Sequence, residues 1–332
     1  MISKDFALIK EKRRELVPSF NERQLIKNIH AETNKQNVDN ISRTKAYLAF
    51  YKRHPEIEWA LLASMVSRNA GWNMTDLQTH PFQRILSDQL QTILFHTYER
   101  PNWLIFADAY PQLLLYEHSK KSQVPMFHLL KWVHASVFME REWNQFWLSG
   151  HRRLLCIGQI INEQNVIEAP VIHHPFYHST VFDNIWFYLQ DMMRMNAVIF
   201  PTMTGDLYGF SVFHFSHLSK RIDLGKQLTW LLFASPECKQ IKRFALSVEP
   251  TGARYDYEQF FDHGPLHDHL PLRNVYSPIH HKRLQPLDWF TGHIKSNWYQ
   301  PPRIPKYILS SWYNRKKQRI DHWSAHIPFG LS

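Results

Sequence analysis

Residues 56–77 read EIEWALLASMVSRNAGWNMTDL, and the way this stretch folds decides how the rest of the chain must be arranged. Pro55 suits the first turn of a helix, where a missing N–H costs nothing, and Glu56 and Glu58 complement the positive end of a helix dipole. Ile57, Trp59, Ala60, Leu61, Leu62, Ala63, Met65 and Val66 follow with almost no polar face. A helix that is apolar nearly all round must be enclosed by other elements or by lipid, and this run is too short for a bilayer. The expectation is a central core helix.

Gly71 is placed to end that helix in the left-handed conformation, with Asn73 or Thr75 capping the next one. On that reading Arg68 to Asp76 is a tight helix-helix junction. Arg68, Asn69, Asn73 and Asp76 then form either the corner of a binding site or a set of partners for helix-end backbone groups, which need such partners in any fold.

Outward from this stretch the pattern stays helical. Residues 2–33 carry a sparse apolar stripe typical of two polar surface helices, and Ser42 to Arg53 resumes helical spacing. Pro81 to Tyr98 has the three-and-four spacing of a half-buried helix, and Pro101 is placed to start another, with a kink at Pro111. Further helices are expected over Pro125 to Met139, Phe182 to Met193 and Leu218 to Phe233, and after the cap-like Ser235-Pro236-Glu237. Leu207 to Phe215 alternates weakly but has no obvious partner strand and is read as irregular. Beyond Gly264 prolines recur as far as Pro305, so extended chain replaces long helices. Trp289, Trp298, Tyr299, Tyr307 and Trp312 are expected to pin it to the helical body, with a last helix from Ser310 to about Trp323. The fold class is all-α, an irregular multi-helix array around a buried central helix with a loop-rich C-terminal segment. The expected division is 1–40, 41–262 and 263–332.

Composition narrows the functional classes. Two cysteines, Cys156 and Cys238, are too few for a disulfide framework or a zinc-thiolate cluster, and point to a reducing compartment. No secretory signal and no run of about 18 uncharged apolar residues is present, so a soluble, cytoplasmic protein is expected, monomeric or weakly oligomeric. A Gly-rich phosphate loop and strand-helix alternation are both missing, which disfavours a nucleotide-binding α/β fold.

The net charge of +10 is unevenly spread: residues 269–332 hold ten basic and two acidic side chains, a net of +8. Within them Arg315, Lys316, Lys317 and Arg319 lie between Trp312 and Trp323, the mixture of cations and stacking rings that single-stranded nucleic acid favours. The same residues suit an anionic lipid or wall-polymer surface, or a plain solvated basic face. If polyanion binding is correct, protonating histidines at lower pH should strengthen it.

Two histidine clusters raise a second possibility. Asp262, His263, His267, Asp268 and His269 fall within eight residues and offer nitrogen and oxygen ligands for zinc or another divalent ion, although Pro265 prevents a shared helical face. His173, His174 and His178 with Asp183 repeat the pattern around Pro175. A metal there would activate water for hydrolysis, making a metal-dependent hydrolase the enzymatic alternative. Cys156 sits in an apolar run where a thiol is inert. A third alternative is a helical scaffold that docks a protein partner.

The stretches WALLASMVSRNAGWNMTDL (59–77), RIDLGKQLTWLLF (221–233) and FALSVEPTGARYDYEQFF (244–261) resemble the YppC-like proteins of bacilli, an uncharacterised family whose domain has no assigned function. The resemblance extends over most of the chain. It implies a cytoplasmic protein of a spore-forming Gram-positive lineage and carries over no catalytic residues.

Overall fold

The computed structural model describes residues 17–174, 197–211, 216–262, 264, 270–282 and 288–326, apart from the Trp323 side chain. Its helices are α1 (Phe20–Gln36), α2 (Asn40–Arg53), α3 (Glu58–Asp76), α4 (His80–Ile85), α5 (Asp88–Ser122), α6 (Val137–Ser149) and α7 (Arg152–Val166). After them come a hairpin, β1 (Ala197–Pro201) and β2 (Leu207–Ser211), and then α8 (Leu218–Phe233), α9 (Cys238–Ser247), the short α10 (Tyr255–Glu258) and α11 (Leu272–Val275), and α12 (Ser310–His326). The protein is predominantly helical. No described helix is long and apolar enough to cross a membrane.

The central element is α3, which begins at Glu58 with Ile57 as its cap, three residues later than Pro55 suggested. Trp59 and Leu62 are buried, and α2, α5, α7, α8, α11 and β1 all touch the helix. The expected stop at Gly71 does not occur: the helix runs through it to Asp76. Gly71 instead allows a close approach, since a Cβ there would lie 2.6 Å from Asn40 Oδ1 and 3.2 Å from Gly252 Cα. Arg68 to Asp76 is therefore the second half of one buried helix, and no junction exists there.

The antiparallel contact of α2 with α3 is close because small polar residues line it. Asn40 Nδ2 donates to Ser67 O (2.9 Å), Thr44 Oγ1 to Ser67 Oγ (2.8 Å), and Ser64 Oγ to Thr44 O (3.0 Å). Each buried hydroxyl or amide thus finds a partner, which burial requires.

Pro101 does not start a helix either. The break falls earlier, at Leu86-Ser87, where Ser87 Oγ accepts from Leu90 N, and α5 then continues for 35 residues with both Pro101 and Pro111 inside it. Proline removes a helical hydrogen bond and crowds the preceding turn. Beside each proline the next side chain turns back on the preceding turn, though not to the carbonyl that lost its donor: Asn102 Nδ2 donates to Tyr98 O (2.7 Å) and Gln112 Nε2 to Asp108 O (3.1 Å).

The expected helix from Pro125 to Met139 is two elements. A 3-10 turn covers Phe127–Val133, His134 takes a left-handed conformation, and Ser136 caps α6 by accepting from Met139 N (3.3 Å). The cap expected at Ser235 is also displaced: its hydroxyl turns back to Leu231 O (2.7 Å), and α9 starts at Cys238 without a side-chain cap. Residues 2–16 and the stripe from Phe182 to Met193 lie outside the described residues.

Leu207 to Phe215 is corrected from irregular chain to strand for its first five residues. β2 pairs antiparallel with β1 in the register Ala197↔Ser211, Ile199↔Gly209 and Pro201↔Leu207. Its other edge is taken by the C-terminal segment, through Gly209 N to Tyr307 O and Leu309 N to Leu207 O (both 2.8 Å). Position 209 has to be glycine: φ is +151°, and a Cβ would sit 1.9 Å from Val198 O. From the proline-rich segment, Phe290, Trp298, Leu309 and Tyr313 join the same buried cluster as Trp59 and Leu62.

Candidate functional site

Arg68, Asn69, Asn73 and Asp76 share one face of α3 with Trp72, and all are buried. Asn69 stitches the hairpin to the helix, donating to Ile199 O (2.8 Å) and accepting from Ile199 N (2.7 Å). Asp76 holds the guanidinium of Arg254 through Nε at 2.9 and 2.7 Å, while Arg254 Nη2 reaches Asn73 Oδ1 (2.9 Å) and Nη1 reaches the Tyr257 hydroxyl (2.6 Å). Burial opposes the charge on Arg254, but Asp76 and the tyrosines outweigh it and hold the pKa above its ordinary value. Trp72 Nε1 and the Thr251 hydroxyl donate to Asp256, whose carboxyl is pushed up by burial and only partly brought back by Arg68.

Arg68 itself caps the end of α9, donating to Val248 O and, at 3.4 Å, to Ala245 O. Its guanidinium lies 5.5 Å from the centre of the Phe244 ring. Nε and Nη1 find no hydrogen-bond partner among the described residues, and burial lowers the pKa of the group. These four side chains join α3 to the hairpin, to the end of α9 and to α10, and none of them reaches solvent.

The polar network continues into α12 and orients it. The Tyr257 hydroxyl donates to that of Tyr313 (3.0 Å), and the Tyr313 hydroxyl donates to Glu258 Oε1. One turn on, Lys317 is 3% exposed, with Nζ 3.9 Å from Glu258 Oε2. Tyr313, Lys317 and Ile320 thus form the inner face, at the spacing of one helical stripe.

The outer face follows from the same geometry. Arg315, Arg319, His322 and His326 are all exposed and fall at i, i+4, i+7 and i+11. The two imidazole rings are 4.2 Å apart, and His326 Nδ1 lies 2.7 Å from His322 O. Arg315 and Arg319 have no ion-pair partner among the described residues. Lys316 is half-buried and Trp312 packs partly against the core. The proposed cation set is therefore divided, with Lys317 facing the interior and the arginines facing solvent.

Of the aspartate-histidine loop, Asp262 is exposed, whereas His263, His267, Asp268 and His269 lie outside the described residues. In the second cluster His173 pairs with Glu168 at 2.8 Å, while His178 and Asp183 lie outside the described residues. Among the described residues no group of three His, Cys, Asp or Glu side chains is disposed to hold a metal. Cys156 and Cys238 are free thiols, and burial pushes the Cys156 thiol up to about 12, so it stays protonated and inert.

Sequence reasoning missed a second buried polar group, in the helical core. Asp108 Oδ2 accepts from Gln112 Nε2 (2.8 Å) and Asn162 Nδ2 (2.6 Å), Asn162 Oδ1 accepts from Trp289 Nε1 (2.8 Å), and Gln112 Oε1 accepts from Trp143 Nε1 (3.0 Å). The available signal was a polar side chain interrupting an apolar stripe. These bonds fasten the Trp289 loop to α5, α6 and α7.

Comparison with known proteins gives a family without a function. The family described as "Protein of unknown function (DUF2515)" matches residues 35–323. A relative from Bacillus subtilis (strain 168), described as "Uncharacterized protein YppC", is 46% identical over 301 residues, covering 90% of this chain and 93% of the relative. No solved structure matches the chain.

Proposed function

The chain belongs to the DUF2515 family of proteins of unknown function, and from that premise we propose that it is a cytoplasmic binding or regulatory protein that contacts a polyanion through its basic C-terminal segment. The observation that carries this reading is the two-faced character of α12. Its inner face is fixed by Tyr313 and Lys317, so the outer face presents Arg315 and Arg319 on a rigid element, one turn apart and without acidic partners among the described residues. Two free thiols support a reducing compartment. The charge supports an electrostatic partner, since most of the +10 lies in this last part of the chain.

The test is a salt titration of affinity for a single-stranded oligonucleotide, with anionic lipid vesicles in parallel. Log affinity should fall linearly with log salt, and replacing Arg315, Lys316 and Arg319 by Gln should flatten the slope by about 0.7 for each oligonucleotide phosphate no longer neutralised. Lys317 is left in place because its substitution would disturb the core. A slope unchanged by the triple substitution rejects the assignment. Tighter binding to vesicles than to the oligonucleotide would name a membrane as the anion. Stoichiometric metal in the purified protein, absent once His263, His267 and His269 are replaced, would favour the hydrolase instead.

A further inference from the structure

Between the first turns of α5 and the strap of chain after α11 lies a cleft of about 480 Å³, within the size range of small-molecule sites. Along α5 its wall is one face, from Asp88 through Thr92 to His96, and the strap closes it with Tyr276, Ser277 and Ile279. Tyr276 is clamped in place: its ring stacks on Phe95 (4.0 Å between centres), and its hydroxyl donates to Met74 O (3.0 Å) while accepting from Gln78 Nε2 (3.1 Å). Gln78 also donates to Gln91 Oε1 (3.3 Å), whose own amide is held by Leu86 O (3.0 Å). One side of the cleft is thus preorganised.

The chemistry of the lining selects a ligand class. Three carboxamides, Gln78, Gln83 and Gln91, and the Ser277 hydroxyl carry both donors and acceptors, while Thr92 Oγ1 already donates to Asp88 O (2.9 Å) and is left to accept. Among the described residues neither lysine nor arginine lines the cleft, and Asp88 adds a carboxylate, which disfavours a phosphorylated or carboxylate ligand. The side chains of Gln83, Asp88 and Ser277 make no hydrogen bond among the described residues. Burial and the neighbouring His281 lower the pKa of His96, which keeps this wall short of positive charge.

One turn along α5 from His96, beyond the residues that line the cleft, is a buried charged group. Glu99 pairs with Arg43 and lies 3.6 Å from His281 Nε2, which is too long for a hydrogen bond. Arg43 Nε, Glu99 Oε1 and His281 Nε2 are all buried without a hydrogen-bond partner. These atoms lie behind the wall of the cleft and take no part in the contacts proposed for it.

We propose that this cleft is a binding site for an uncharged polyhydroxylated ligand, a saccharide or polyol, seated between α5 and the strap at residues 276–279. Hydroxyls alternate donor and acceptor as the amides do, and the carbon face of a sugar ring suits the aromatic wall. The site is separate from the outer face of α12 and does not depend on polyanion binding.

Isothermal titration of the full chain with glucose, N-acetylglucosamine, maltose and glycerol tests it, with glucose 6-phosphate as the charged counterpart. At least one neutral compound should bind in the millimolar range or tighter, and glucose 6-phosphate should bind more weakly than glucose. Replacing the exposed Gln83 by Ala together with Thr92 by Val should weaken binding about tenfold, the loss expected from two hydrogen bonds, without moving the melting temperature. Ser277→Trp, which fills the cleft from the strap, should abolish binding even if the double variant folds poorly. The proposal is overturned if none of the four neutral compounds binds at millimolar concentration. It is equally overturned if the phosphate ester binds tighter than glucose, or if Ser277→Trp binds as well as the parent.

Discussion

Arg254 and Asp76 are 178 positions apart and meet with both side chains almost wholly out of water. A buried ion pair gives little net stability over an apolar pair of the same volume, but removing one partner strands the other. Arg254→Met should therefore cost about 3–5 kcal/mol in urea unfolding, because Asp76 would keep its desolvation cost without its donors. Replacing both residues by apolar ones should recover much of that loss. Glu163 shows the opposite situation, a carboxyl with no ion-pair partner among the described residues. Burial pushes it up to about 7 against the bonds from Gln164 and Trp59 Nε1 (3.0 Å). The folded state therefore holds this proton more tightly than the unfolded chain does. Its stability contribution is intact below the ordinary carboxyl range and declines as pH rises to about 7. The group keeps some exposure, so the cost at alkaline pH is about 1–2 kcal/mol. Glu163→Gln, which preserves the acceptor for Trp59, should raise the melting temperature at pH 8 and leave it unchanged at pH 4.

At the scale of elements, α5 and α12 show how neighbours overrule local preference. Proline is among the strongest helix breakers, yet α5 passes through Pro101 and Pro111, held among neighbours that include α1, α2, α3 and α7. Its true start depends on the Ser87 cap. Ser87→Ala should lower stability by about 1 kcal/mol in chemical denaturation, whereas a start at Pro101 would make that substitution neutral. The termini of α3 follow the same rule: Gly71 looks like a stop, but Asn40 and the backbone of Gly252 press against that position, and a helix with a bare Cα is what fits. In α12 the sequence carries four cations within five residues, and only the seating of Tyr313 against Tyr257 determines that Lys317 turns inward while Arg315 and Arg319 turn out.

Across the whole molecule, the core is built from both ends of the chain. Ile29 of α1 and Tyr313 of α12 belong to the same buried cluster as the central helix, and the extended chain at 307–309 bridges to the outer edge of β2 through Tyr208 and Ile308. Positive charge has a different distribution, being gathered in the last segment, where Arg315 and Arg319 face solvent and Lys317 faces the interior. The helical class, the burial of Trp59 and Leu62, the aromatic pins and the last helix were all legible in the residues, because apolar periodicity and charge counts are properties of neighbours along the chain. The hairpin was not legible, since β1 and β2 are strands by virtue of each other and of Asn69. Nor was the lining of the cleft, where residues 78–96 meet 276–279. By itself the sequence determined what is buried, what is helical and where the positive charge lies, all of which follow from local pattern and composition. Tertiary structure alone decided which polar groups meet in the interior and which cations face water, because a buried polar group or charge is tolerable only beside a partner, and that partner often comes from a distant part of the chain, as Arg254 does for Asp76.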